Sequence, residues 1–452
     1  LALPLVREQA AMSIQKFTRA FLEQGEPGAR KPGDGAVFDD YDVQSDSMVC
    51  AGCSCLCDDV SYYVKGGRVV RTLNLCEVAM KRLDSALAGD RLPVLPSEEL
   101  RRSVEAGARI MKGHSPTLVI GADGLHEAGM VGSWELARAL GGLWLPWSFV
   151  GMKRFFDGVR RWGWAGAILD EVRDRADLVM FWRADPLETH HRHLSRYSLF
   201  ARGRYTERGN SDRNLAAVAA GDTVMERLCQ QFFRMAPSED LGLIQALTGP
   251  NPAPASAHRD FVSLVKALER SLYIALFVDP EKVTADAMQG ILEWAAAVNA
   301  GGHRRMAVLP LWGGGVNASG FVQLSLERNA SGCGADFSEG GMGAVPEGDW
   351  EDIAIRVGSV LMFESGPDGA QRRRLPGPLL GKPLVLVTPF KRPSLDQAQV
   401  VIPTALAGIE QDGVFFRADG LPLTAHAVPG LACDGYPTVE EVISGLLREV
   451  LA

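Results

Sequence analysis

The sequence predicts an α/β fold built on parallel sheets and fronted by a small cysteine-bearing unit. Three observations predict it. From about residue 116 onward, short apolar runs such as TLVIGA, ADLVMFW, LAAVAA, SLYIALFV, RMAVLPL, SVLMFES and PLVLVTP lack polar alternation. Strands of a parallel sheet covered on both faces read this way. Amphipathic stretches such as GSWELARALGG and TADAMQGILEWAAAVN separate these runs, so strand and helix alternate. Ahead of this pattern, five of the eight cysteines fall between Cys50 and Cys76.

In chain order, residues 5–24 have helical character, and GEPGARKPGDG opens a linker over 25–46. Residues 1–46 therefore read as an appendage, either a docking arm or a disordered tail. Residues 47–80 form a small unit. Its cysteine cluster precedes DVSYYVKGGRVVRTL, which reads as a hairpin turning at Gly66-Gly67. The hairpin would carry Cys76 back toward the first cysteines. Residues 81–250 form a first Rossmann-like region and 251–452 a second, joined by GPNPAPASAH. DTVMERLCQQFFRM and the terminal TVEEVISGLLREVL read as helices.

The chain has 452 residues, 46% hydrophobic and 23% charged, with a net charge of −8. That balance argues against a nucleic-acid partner, which usually requires a basic face. No apolar run reaches the ~18 residues of a membrane-spanning helix. Arg7 and Glu8 come too early for the apolar core of a signal peptide. A cytoplasmic location follows as the expectation.

Clustered cysteines in a reducing compartment point to a metal rather than to disulfides. Cys50, Cys53 and Cys57 form C-x2-C-x3-C, and Cys76 follows the hairpin. Four thiolates converging on one core would hold a 4Fe–4S cluster. Ala51 and Gly52 leave the backbone free to wrap it. Zinc competes, though its structural sites usually come as two matched knuckles. A metal-free, vestigial cluster is the third option. Cys55 is a spare and reads as a packed thiol.

His190, His191 and His193 lie within four residues, and Arg192, Arg196, Arg202, Arg204, Arg208 and Arg213 make 192–213 the most basic stretch. His191, His193 and Arg196 are candidate cavity-lining or anion-contact residues. Partner contact, a structural hydrogen-bond network and a solvated loop pinned by Asp185, Glu207 and Asp212 are the alternatives.

VCAGCSCLCDDV followed by NLCEVA resembles the start of the B subunit of formylmethanofuran dehydrogenase, of the molybdopterin oxidoreductase superfamily. Three further blocks carry the resemblance in the same order: ADPLETHHRHLSRYSLFARGRYTERGNSDR, WGGGVNASGFVQ, and VVIPTALAGIEQDGVFFRADGLPL. It covers about residues 47–430. The resemblance implies a molybdopterin-oxidoreductase-like fold without a C-terminal β-barrel. It also implies an Fe–S cluster passing electrons to a bis-pterin that holds Mo or W through a cysteine or selenocysteine. Carbon dioxide is reduced to formate there, and a neighbouring amidohydrolase-type subunit condenses formate with methanofuran.

The sequence departs from that pattern twice. The region matching the metal-ligand loop, GGLWLPWSFVGMKRF, has no cysteine; none occurs between Cys76 and Cys229. Met152, Lys153 and Arg154 stand where the family carries a histidine, and Ser148 is the only candidate oxygen ligand. After LAAVAA, the family's Asp-x-Arg-x-Thr grip on the cofactor reads Gly221-Asp222-Thr223-Val224, without its arginine. A Mo/W bis-pterin is therefore expected to be absent.

The resemblance then implies a redox-inactive scaffold most like the B-type component of the bacterial formyltransferase/hydrolase complex. Its partners would be an amidohydrolase-type A component, a C component and a formyltransferase, with a methanofuran-type carrier as a further ligand. An active Mo/W-pterin oxidoreductase subunit and an Fe–S electron-transfer module are the competing readings.

Overall fold

The computed structural model describes residues 41–87, 90–249, 259–312, 315–329, 331–366, 375–391, 396–431 and 435–452. The helix expected at 5–24 lies outside them, as do most of the expected linker and the 249–258 join apart from Gly249.

From Val43 onward the chain opens with β1 (Val43–Met48), β2 (Val60–Lys65) and β3 (Arg68–Leu73), an antiparallel sheet in the order β1-β2-β3. β2 and β3 are the expected hairpin, and Gly66 and Gly67 turn it at φ 54° and 74°. β1 is a departure, because residues 43–46 were expected as linker. Val43, Gln44 and Ser45 instead pair with Val64, Tyr63 and Tyr62. The segment is polar, and it is the neighbouring strand that makes it β. α1 (Glu77–Leu87) and α2 (Ser97–Gly113) follow.

Next come β4 (Thr117–Ile120), α3 (Glu127–Ala139), β5 (Leu143–Leu145), α4 (Phe149–Trp162), α5 (Leu169–Arg175), β6 (Leu178–Trp182), β7 (Asn214–Ala219) and β8 (Gln231–Arg234). α6 (Asp240–Thr248), α7 (Arg259–Arg270), β9 (Tyr273–Val278), α8 (Ala285–Ala300) and β10 (Arg305–Pro310) continue the alternation. The chain closes with α9 (Ala318–Asn329), β11 (Ala335–Asp336), α10 (Trp350–Arg356), β12 (Ser359–Phe363), β13 (Leu384–Val387), β14 (Val400–Ile402), β15 (Gly413–Phe416), β16 (Pro422–Ala425) and α11 (Val439–Leu451).

Two sheets carry the core. One has the order β11-β5-β4-β12-β13-β14 and is parallel except at β11; the other is all parallel, in the order β10-β9-β6-β7-β8. β4, β6, β9, β12 and β13 are buried at every residue. The unbroken apolar runs thus have the cause read from them.

The sheets do not follow the expected division at residue 250. β9 and β10 hydrogen-bond to β6 and to each other, with Leu178 opposite Ile274 and Trp182 opposite Val278. The five-stranded sheet is therefore an insertion between β5 and β11 of the six-stranded one. Pairing partners decide this, and linear order does not contain them.

A second departure is DTVMERLCQQFFRM. Only Val224–Arg227 is helical, as a short 3-10 turn capped by Thr223, and the remainder supplies β8. Phe233 is buried there and faces Val218 of β7. Packing on β7 overrides a four-residue apolar spacing that also fits a helix.

α4 and α8 pack across the two sheets; a Cβ at Gly158 would stand 2.6 Å from Leu292 Cδ1. Each sheet reverses its strand order once, between β4 and β12 and between β6 and β9. Ligands of open α/β sheets bind at such reversals, beyond the carboxyl ends of the strands. Among the described residues no helix is long and apolar enough to cross a membrane.

Candidate functional site

The cysteine loop closes on itself before it meets anything else. The Cys50 amide donates to the Cys57 carbonyl at 2.8 Å, and the Leu56 amide to the Cys53 carbonyl at 3.1 Å. A Cβ at Gly52 would lie 2.9 Å from the Ala79 Cβ, so the loop rests on the first turn of α1, beside Cys76. The hairpin therefore returns Cys76 to the loop. The Gly52 amide donates to Cys50 Sγ at 3.3 Å.

Burial, and then the nearby Cys57, Cys53 and Cys76, push the Cys50 thiol well up. Burial also pushes Cys57 up to about 12. A hydrogen bond from Cys55 lowers Cys53. The four expected ligands lie within electrostatic reach of one another, and Cys55 is fully buried, as expected of a packed thiol. Among the described residues, no three His, Cys, Asp or Glu side chains stand in ligating geometry. The four thiols are soft donors by residue type, and the Gly52 amide is aimed at one of their sulfurs.

The histidine–arginine block clasps this loop. Arg192 donates to both oxygens of Asp59 at 2.6 and 2.7 Å, and to the Asn74 carbonyl at 2.8 Å. Arg196 pairs with Asp58 and Asp59, each at 2.5 Å. Tyr197 Oη donates to the Cys55 carbonyl, and Ser54 Oγ lies 2.8 Å from His190 Nε2. Burial would raise Asp59, but Arg192 and Arg196 hold its carboxyl below the usual range. Arg196 and Tyr197 lie in a π-helical turn, Leu194–Ser198.

Arg196 is thus engaged inside the protein, by the two acids that follow Cys57. His193 is fully buried against Phe181 and Phe277, with Nδ1 3.0 Å from Ser198 Oγ. Burial, with a smaller push from His191, brings His190 down to about 4; burial and His190 take His193 well below its usual value. His191 is half-buried. The three candidate anion contacts are not gathered at one cavity.

Ser148 caps α4 with its backbone, its carbonyl accepting from the Met152 amide at 2.8 Å. Its side chain is fully buried, and Oγ has no hydrogen-bond partner among the described residues. The preceding Trp147 lines the crevice at the β4–β12 reversal, with its amide on Asp123 Oδ1. Arg82 of α1 crosses this crevice and donates to the Ser365 and Ala407 carbonyls. Two cavities remain beside Arg82, each about 20 Å³. That is room for a single water, against roughly 300–1,000 Å³ for sites of drug-sized ligands.

Where the resemblance places the cofactor grip, Asp222 pairs with Arg234, and Thr223 Oγ donates to Asp185. A wider groove of about 1090 Å³ runs along β8 between α6 and α7, and no residue expected to form a site lines it.

The remaining blocks act as bolts. The Asn317 amide donates to the Asp123 carbonyl at 2.9 Å, its Nδ2 donates to the Leu125 carbonyl at 2.8 Å, and its Oδ1 accepts from the Phe416 amide at 2.7 Å. Phe321 stacks on Trp144 with centroids 3.8 Å apart. Glu410 forms a buried pair with Arg91 at 2.6 Å. Asp419 accepts from the Leu169 amide at 2.6 Å, and Arg417 reaches Asp170 at 2.7 Å. The closing block is thereby tied to α5. Sequence reasoning missed Arg82 and Arg91, since an arginine in an amphipathic helix or a loop carries no sign of long-range carbonyl partners.

No family model matches the chain. The B subunit of tungsten-containing formylmethanofuran dehydrogenase 2 from Methanocaldococcus jannaschii is 26% identical over 429 residues, covering 89% of this chain and 98% of that protein. Its counterpart from Methanococcus maripaludis is 25% identical over the same shares. Among solved structures, the formyltransferase/hydrolase complex of Methylorubrum extorquens with methylofuran contains a chain of similar fold. The TM-score is 0.61 at 17% identity, covering 80% of this chain and 98% of that one. Acetylene hydratase from Pelobacter acetylenicus follows with a TM-score of 0.52 at 11% identity, covering 90% of this chain and 69% of that one. The chain is similar over most of its length to the B subunit of formylmethanofuran dehydrogenase, on a fold shared with the formyltransferase/hydrolase complex and acetylene hydratase.

Proposed function

We propose that the chain is a B-type subunit in one-carbon metabolism, acting as a redox-inactive scaffold of a formyltransferase/hydrolase-type complex. The observation that carries this reading is the closed crevice beyond β4 and β12, with a serine in the neighbouring loop where the resemblance places the metal-binding thiol. A metal there would lack its soft thiolate anchor. In this reading the chemistry resides in an amidohydrolase-type subunit, a C-type subunit and a formyltransferase, working on a methanofuran-type carrier. Cys50, Cys53, Cys57 and Cys76 would hold a 4Fe–4S cluster, which when bound supplies one-electron transfer. The clasp from Arg192 and Arg196 would keep their loop in place.

One observation favours a second reading. Ser148 Oγ is buried with no hydrogen-bond partner among the described residues, as an oxygen ligand to a metal would be in the metal-free chain. Purification of the native complex with metal analysis separates the two. The scaffold reading expects iron but no stoichiometric Mo or W; either metal at one per chain sinks it. The Cys53→Ser variant is expected to lose its iron and the broad absorbance near ~400 nm. Iron content equal to the parent's would remove the cluster from the proposal.

A further inference from the structure

The basic stretch 192–213 divides into two sets of arginines. Arg192 and Arg196 hold Asp59 and Asp58, Arg208 pairs with Asp212, and Arg213 is spent on the carbonyls of Ala176 and Leu199. Arg202 and Arg204 are exposed, as is Arg175 at the end of α5, and none of the three carries an ion pair among the described residues. Two of them flank one ring. The guanidinium carbons of Arg175 and Arg204 lie 5.3 and 5.6 Å from the centroid of Tyr205, which is 62% exposed.

This group is displayed on a fixed turn. The Gly203 amide donates to the Thr206 carbonyl at 3.2 Å, and the Tyr205 amide to the Asp174 carbonyl at 2.9 Å. Thr206 is buried, and its hydroxyl donates to the Arg173 carbonyl at 2.8 Å. A Cβ at Gly203 would run into that same Arg173 carbonyl, so only glycine lets the turn sit this close to α5. Leu272, 67% exposed, lies at the same end of the five-stranded sheet, its amide on Asp177 at 2.8 Å.

We propose that Arg175, Arg202, Arg204 and Tyr205 form a docking surface for an acidic polypeptide segment of a partner chain. Guanidinium groups take carboxylates in bidentate fashion. Arginine and tyrosine are among the residue types that dominate binding at protein interfaces. A turn already fixed by its own hydrogen bonds loses little freedom on binding. On a chain of net charge −8 the patch is also a local reversal of sign, which steers an acidic partner to this one place. That same net charge disfavours a nucleic acid. The proposal rests on the subunit reading above for the existence of a partner.

The test titrates the full chain with a labelled oligoglutamate peptide and, in parallel, with a labelled oligonucleotide of equal charge. The peptide is expected to bind more tightly, with salt weakening it. Arg175→Glu combined with Arg204→Glu is expected to weaken peptide binding about tenfold or more. Tyr205→Ala should weaken it about fivefold. The single exposed change Arg202→Glu provides a variant with no packing to disturb. Unchanged binding by these variants, or tighter binding of the oligonucleotide, overturns the proposal. Hydrogen exchange on the native complex separates it from the subunit reading. Protection of residues 202–206 upholds both; a complex that forms without that protection overturns only the docking surface. Failure to recover any complex overturns the subunit reading, and the peptide titration still decides the patch.

Discussion

At Ser148 a hydroxyl sits in the core with no hydrogen-bond partner among the described residues, between Trp147 and Phe149, which are themselves buried. A buried polar group left unsatisfied costs roughly 1–3 kcal/mol. If the residue is only a loop serine, its removal should relieve that cost. Ser148→Ala is therefore expected to raise stability by about 1 kcal/mol in urea denaturation and to leave the activity of the assembled complex unchanged. A large loss of activity with unchanged stability would instead make the oxygen a ligand. Arg183 is a contrasting case on the second sheet. It takes φ 57° at the carboxyl end of β6, and its guanidinium is held by Asp240 and the Met235 carbonyl. Both charged side chains are almost fully buried. Satisfied partners explain that buried group, and no ligand is needed.

At the scale of elements, the π-helical turn and the cysteine loop form one unit. Its polar contacts combine half-buried ion pairs with two deeply buried histidines. His190 is held well below its ordinary value of about 6.5, at about 4, first by burial. The unfolded chain therefore takes up this proton at a higher pH than the folded one does. The stabilisation is complete above about pH 6.5 and declines as pH falls toward 4, by roughly 3 kcal/mol at most. Burial lowers His193 in the same direction. Urea midpoints measured across that window should fall with pH. His190→Gln, which does not titrate, should flatten the fall; a parent protein whose midpoint is constant from pH 7 to about 4.5 would contradict this.

Across the whole molecule, the five-stranded sheet is inserted into the six-stranded one and shares a hydrophobic core with it. Asp419 and Arg417 tie the closing block to α5, and α4 crosses to α8 where Gly158 faces Leu292. A larger side chain at 158 has nowhere to go without parting the helices. Overpacking of this kind costs about 1–3 kcal/mol. Gly158→Leu is expected to lower stability by about 2 kcal/mol and to split a single calorimetric transition into two, one for each sheet. A single unshifted transition would show that these helices do not couple the sheets.

Much of this was legible in the sequence because some patterns report their own environment. Fully apolar runs announced β4, β6, β9 and β12 as strands covered on both faces. Gly66-Gly67 announced the hairpin, and that hairpin placed Cys76 beside the loop of Cys50, Cys53 and Cys57. β1 and β8 were not legible, since each becomes a strand only through the neighbour it pairs with.

By itself the sequence determined the α/β class and the cysteine set, both of which depend on residue type and local spacing; a missing thiol near Ser148 is what the family resemblance implies. Only the tertiary structure decided that β9 and β10 join β6, that Arg192 and Arg196 answer to Asp58 and Asp59, and that Arg175 meets Tyr205. Those are contacts between residues distant in the chain, set by strand pairing and charge neutralisation, and no local pattern encodes them.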